Sequence, residues 1–164
     1  METVEKKVYI TINSIKYDCT ELRGAELLPH EALSTIKATD HIEVETEGEL
    51  RIVGKRLSVV YYEDNRSGMS GTRSIISLLE GGEAVKIMRS GTVRSVFDVE
   101  KGKTVKTDYT TSFFKFSMNV TGYCVINKLT DRGGELILDY LLDVPYTLKE
   151  RTLLTVTVAL KDEE

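Results

Sequence analysis

At 164 residues the chain is the size of one domain (1–164), long enough to bury about two-thirds of its unfolded surface without a disulfide or a metal. Its 41% hydrophobic and 29% charged residues are ordinary for a globular protein. A formal net charge of −4 argues against a nucleic-acid partner, because non-specific affinity for phosphates comes from surplus Lys and Arg.

The two cysteines, Cys19 and Cys124, form no Cys-x-x-Cys pair, and the two histidines, His30 and His41, have no zinc spacing. No metal and no cofactor are therefore expected, and two free thiols fit a reducing cytosol. The Met-Glu-Thr-Val-Glu-Lys-Lys start lacks the apolar stretch of a signal peptide, and no apolar run reaches the roughly 18 residues of a membrane span. The expected setting is cytoplasmic, with no membrane partner. The Asn119-Val120-Thr121 sequon is then a coincidence.

The first strand is predicted near residues 4–17, where Val8, Ile10 and Ile12 alternate with Tyr9, Thr11 and Asn13. Residues 18–40 break the alternation. Leu22, Ala25, Leu28, Ala32, Leu33 and Ile36 suggest short helical turns interrupted by Pro29, read as a cap over one barrel end. In the next strand His41, Glu43, Glu45, Glu47 and Glu49 share one face, and Ile42, Val44, Thr46, Leu50 and Ile52 the other. The acidic row is straight rather than convergent and faces no opposing ligands, so it marks a solvated outer surface instead of a metal site.

Gly54-Lys55 turns the chain into a strand with Leu57, Val59, Tyr61 and Glu63 on one face, followed by the polar loop 64–71. Further strands are predicted near 72–80, 83–89, 92–100, 103–111, 113–128, 135–144 and 147–160, joined by short Gly- or Pro-containing turns. Connectors this short leave no room for parallel crossovers. About ten strands in one layer would expose two edges, and curling into a barrel removes them. The expected fold is all-β: a single closed antiparallel up-and-down barrel with a short helical or irregular insertion near 18–40. A two-sheet sandwich is the alternative.

Two charges sit on apolar faces. Arg89 has the parity of Val85 and Ile87, while Lys86 marks the wet side; Glu63 has the parity of Leu57, Val59 and Tyr61. An unpaired buried charge is prohibitive, so Glu63 and Arg89 are expected to approach each other near one barrel mouth. They would form either an ion pair that fixes strand register or a site for a polar or anionic ligand; solvent exposure at the strand ends is the third reading. Tyr61, Phe97, Tyr109 and Tyr140 collect on inner faces, which suits a filled core as well as a ligand pocket. Catalytic motifs are not evident. Gly68-Met69-Ser70-Gly71 has the wrong spacing for a nucleophile elbow, and the glycine pairs 81–82 and 133–134 precede no helix.

The ordered set Tyr62-Glu63, Ser67-Gly68-Met69-Ser70-Gly71-Thr72, Arg89-Ser90-Gly91, Phe97, Glu100-Lys101-Gly102, Tyr109, Thr111, Gly133-Gly134 and Tyr140 resembles the YwiB-like family over residues 41–160. These are small bacterial proteins classed as a domain of unknown function. The resemblance implies a calycin-like (lipocalin-type) barrel and supplies no activity. Where family members carry a Thr-Pro-aromatic-Gly turn, this chain has Thr111-Ser112-Phe113-Phe114, from which a longer, straighter strand is expected.

The functional expectation is non-catalytic binding of a small, partly apolar ligand at a mouth lined by Tyr61, Glu63, Arg89, Phe97, Tyr109 and Tyr140, with Arg89 pairing an acidic group. The alternative is a structural or interaction module with a filled barrel, acting as a homodimer. An enzyme is the less favoured reading, because no catalytic residue is identifiable.

Overall fold

Alternation of apolar and polar residues carries through to ten strands in the computed structural model, which describes residues 3–67, 69–79 and 81–161. Gly68 of the polar loop and residue 80 of the predicted 72–80 strand lie outside the described residues. The strands are β1 (Thr3–Asp18), β2 (Asp40–Val53), β3 (Arg56–Tyr62), β4 (Arg73–Leu78), β5 (Ala84–Ser90), β6 (Ser95–Glu100), β7 (Thr104–Thr110), β8 (Lys115–Thr130), β9 (Gly133–Val144) and β10 (Leu148–Leu160). All laddered neighbours are antiparallel, in the order β6-β5-β4-β3-β2-β1-β10-β9-β8-β7. The first and last strands pair from Val8–Leu160 to Asp18–Glu150.

The barrel is nearly closed. Its seam lies between β6 and β7, which are consecutive in the chain. There Arg94 and Thr110 exchange backbone hydrogen bonds of 2.9 and 3.0 Å, and Thr107 Oγ1 donates to the Val96 carbonyl at 2.6 Å. At the far end the β6–β7 turn folds onto β8: Gly102 N–H donates to the Gly122 carbonyl (2.9 Å), and Gly122 N–H to the Lys103 carbonyl (3.0 Å). A Cβ on Gly122 would overlap the Glu100 backbone, so the approach requires glycine.

Inward residues fill only half of the barrel. Val8, Leu50, Val59, Val85, Ile87, Val99, Val120, Leu136, Leu138 and Val156 pack the end holding the β6–β7 turn. The opposite end, reached by the last residues of β1, β3, β5, β7 and β9, is hollow.

The insertion does not cap that open end. Residues Ala25–Leu27 and His30–Thr35 form 3-10 turns, as the sequence suggested. They lie against the outer wall, where Cys19 and Ala25 pack on Leu141 with Leu22, Ile36 and Tyr123 around them. Leu141 has the opposite parity to Leu138 and Tyr140, so β9 is apolar on both faces and needs an outer cover.

A buried charge cluster fastens this cover. Arg151 and Asp139 have fully buried side chains and pair through Nε–Oδ1 (2.8 Å) and Nη2–Oδ2 (2.7 Å). Arg151 Nη1 donates to the carbonyls of Ala25 (2.9 Å) and Leu28 (2.5 Å), and its guanidinium lies 3.9 Å from the Tyr123 ring centre. His30 donates through Nδ1 to Asp139 Oδ2 (2.7 Å). Removing one member of such a pair strands a buried charge, whereas replacing both with apolar groups does not. Arg151→Met is expected to lower unfolding free energy by about 3–5 kcal/mol. Arg151→Met with Asp139→Leu is expected to recover most of that loss, as read by urea denaturation.

Candidate functional site

The hollow end is a cavity of about 550 Å³. Its walls are mainly apolar: Ile12, Ile42, Val44, Phe116, Met118, Leu142, Val144 and Leu154. Its floor is polar, and the strand register explains why. Tyr61 of β3 lies opposite Ser74 of β4, Ser74 opposite Arg89 of β5, and Arg89 opposite Ser95 of β6. One inward-facing row across four strands therefore carries two hydroxymethyl groups, a phenol and a guanidinium.

The loops at the mouth are held by the motif residues. Thr72 N–H donates to the Met69 carbonyl (3.0 Å), Thr92 Oγ1 to the Ser70 carbonyl (2.9 Å), and Val93 N–H to Thr72 Oγ1 (3.2 Å). Gly91 sits at φ 141° against the Gly71 carbonyl, where a Cβ would overlap. The Met69–Thr72 and Arg89–Gly91 stretches thus form one buttressed unit that sets Met69, Thr92 and Val93 on the cavity wall.

The 111–114 segment is a tight turn and not the longer strand expected. Thr111 Oγ1 accepts the N–H groups of Phe113 and Phe114, both at 3.2 Å, doing locally what proline and glycine do elsewhere. The turn presents Phe113 (92% exposed) and Phe114 (56% exposed) at the mouth. Phe114 stacks on Phe116 at 5.5 Å between ring centres, and Phe116 on Tyr109 at 5.0 Å, so an aromatic row runs from the rim inward.

Glu63 and Arg89 share this cavity, as expected, but they do not form an ion pair. Among the described residues no carboxylate oxygen lies within 4.0 Å of an Arg89 nitrogen. Arg89 Nε is buried without a hydrogen-bond partner, and so is Ser95 Oγ beside it. Glu63 Oε1 instead accepts from Ser74 Oγ at 3.0 Å. Nearer the rim Lys16 and Glu150 pair at 3.8 Å. The ion-pair reading fails on distance, and the Glu63 carboxylate meets the Ser74 hydroxyl instead.

Burial opposes the Arg89 charge. Tyr140, Tyr61, Glu63 and Tyr109 around it outweigh that effect and raise its pKa. Desolvation pushes both Tyr61 and Tyr140 above the usual phenol value; Glu63 adds to the shift of Tyr61, and Arg89 partly offsets both. The two phenols stay protonated as donors.

Of the residues singled out in the sequence, Tyr61, Glu63, Arg89, Tyr109 and Tyr140 line the cavity. Phe97 does not. It lies opposite Ile87, two residues beyond the Arg89–Ser95 row toward the packed end, and supports Tyr140 from beneath at 5.8 Å between ring centres. Sequence reasoning missed Ser74 and Ser95, whose signal was a small polar residue at an inward parity. It also missed Phe113 and Phe114, whose adjacency in a turn places both outside the core.

Residues 31–156 match the family described as Domain of unknown function (DUF1934). The chain belongs to this family. Its fold is similar to that in the crystal structure of the YwiB protein from Bacillus subtilis, with a TM-score of 0.69 over 93% of this chain and 92% of that one. The two are 18% identical, so the likeness is one of fold. No curated protein matches the chain. Among the described residues no helix is long and apolar enough to cross a membrane, and no cluster of three or more His, Cys, Asp or Glu could hold a metal ion.

An unsatisfied buried donor costs about 1–3 kcal/mol. Arg89→Met roughly keeps the volume and removes that cost, so it is expected to stabilise the protein by about 1 kcal/mol in thermal unfolding. A loss of several kcal/mol would show that Arg89 is bonded as half of an ion pair. The tyrosines predict an alkaline effect. Their folded pKa values lie above the unfolded value of about 10, so the folded state binds protons more tightly. Their stabilising share is complete below about pH 10 and is lost as pH rises through the folded values. Urea midpoints measured from about pH 9 to pH 11 should fall less in Tyr61→Phe/Tyr140→Phe than in the parent.

Proposed function

We propose that this barrel is a non-catalytic binding protein for a small, partly apolar ligand that enters between Phe113 and the Met69 loop and places an acidic group at Arg89. The observation that carries this reading is the unpartnered Arg89 Nε at the floor of the hollow end. An evolved interior would cover that nitrogen with a carboxylate or fill the space with aliphatic side chains. A cavity of about 550 Å³ lies within the range of small-molecule pockets, roughly 300–1,000 Å³. Apolar walls with a few convergent polar groups are the usual composition of such sites.

Arg89 suits an acid because its planar fork meets two oxygens at once. Tyr61 and Tyr140, kept protonated, add donors beside it. The free thiols Cys19 and Cys124 fit a reducing, cytosolic setting. The alternative of an interaction module rests on a filled lumen, and the hollow half weighs against it.

The test uses anilinonaphthalene sulfonate, an apolar anion whose fluorescence rises out of water. Saturable one-to-one binding is expected, abolished by Leu142→Trp, which fills the hollow, and weakened about ten-fold or more by Arg89→Met. Binding that survives Leu142→Trp in a folded protein would locate the dye outside the barrel and overturn the reading. Native mass spectrometry of the same samples reads the one-to-one stoichiometry directly.

A further inference from the structure

Two opposite charges are held at one end of a cavity without touching. Glu63 lies over Ser74, its Oε1 accepting from Ser74 Oγ at 3.0 Å. Ser74 is the register partner of Arg89 on the next strand. Both side chains line the same cavity, and their charged atoms are more than 4.0 Å apart, which leaves space between the carboxylate and the guanidinium. Tyr61, opposite Ser74 on the other side, is within electrostatic reach of both. They face the same space, yet neither neutralises the other.

The charge balance restricts what can fill that space. Arg89 and Glu63 together carry no net charge. A simple carboxylate that paired with Arg89 would leave a net negative charge on a half-buried floor among apolar walls, with Glu63 facing the incoming anion. Uncompensated charge is unfavourable where water is partly excluded. A head with an anion for Arg89 and a cationic donor for Glu63 brings no net charge and pairs both groups. The rest of the cavity is apolar up to the aromatic rim. From Tyr140 on the floor to Val144 at the mouth is four residues of β9, or about 13 Å at roughly 3.3 Å per residue. An extended decanoyl chain matches that depth.

Resting on the ligand-binding reading above, we infer that the ligand is an apolar amino acid or related zwitterion, seated head-first, with its carboxylate on Arg89, its ammonium on Glu63 and its apolar chain running out along Phe116 and Phe114. Ser95, the register partner of Arg89 on the next strand, also has a buried and unpartnered Oγ.

The experiment is calorimetric titration of the full chain at neutral pH with α-aminodecanoate, decanoate, decylamine and decanol. α-Aminodecanoate is expected to bind about ten-fold or more tightly than each of the others. Glu63→Gln is expected to erase the advantage over decanoate while leaving decanoate binding equal or improved. Arg89→Met is expected to erase the advantage over decylamine. Circular dichroism of each variant establishes that it is folded. Equal affinity for decanoate and α-aminodecanoate, or an advantage that persists in folded Glu63→Gln, would overturn the zwitterion while leaving a pocket for apolar acids. If none of the four binds and anilinonaphthalene sulfonate does not bind either, the ligand-binding reading itself is wrong.

Discussion

Everything in this molecule depends on the ladder between β1 and β10. Strands β2 to β6 hang from one side of β1, and β9, β8 and β7 from β10. The chain is two meanders, and the Val8–Leu160 to Asp18–Glu150 pairing makes them one sheet. It brings Tyr140, Leu142 and Leu154 from one meander to face Tyr61, Glu63 and Arg89 from the other across a shared space. Lys16 and Glu150 pair across the same ladder at the rim.

Curling the sheet creates an inside, and the inside is treated differently at its two ends. Branched aliphatic residues and Phe97 pack one end, where glycines at 48 and 122 let backbone and side chains approach closely. At the other end the inward positions pass to Ser74, Ser95, Arg89, Glu63 and Thr152, and the aromatic residues stand at the walls instead of crossing the lumen. The change of composition falls within two residues on β6, from Phe97 to Ser95. Two charges tolerated there without mutual contact are a stability cost that the packed end does not carry.

Much of the fold was legible because a strand's period of two survives any tertiary context. The acidic row of β2, the inner faces of β3 and β5, and the hairpin glycines follow from it. Parity also identified Glu63 and Arg89 as inward charges. It could not say that Ser74 would take the Glu63 carboxylate, since that depends on side-chain reach across a register no single strand reveals. Phe97 was placed at the site because parity gives the side of the wall and not the depth along it. The Arg151–Asp139 cluster lies on the outer face, where alternation implies solvent. Its signal was the run Ile137-Leu138-Asp139-Tyr140-Leu141-Leu142, apolar on both parities, in which an acid is covered whichever way it points. The hollow itself is a difference between lumen volume and side-chain volume, and no periodic pattern encodes it.

The seam has a consequence for how the wall yields. Among the described residues one backbone bridge and one hydroxyl bond join β6 to β7, yet the two staves are tethered by the Lys101–Lys103 turn, which is itself tied to Gly122. Closing a short tether costs little chain entropy. The wall can therefore part along this line and zip shut again from the turn, while every long ladder stays intact and the two meanders never separate.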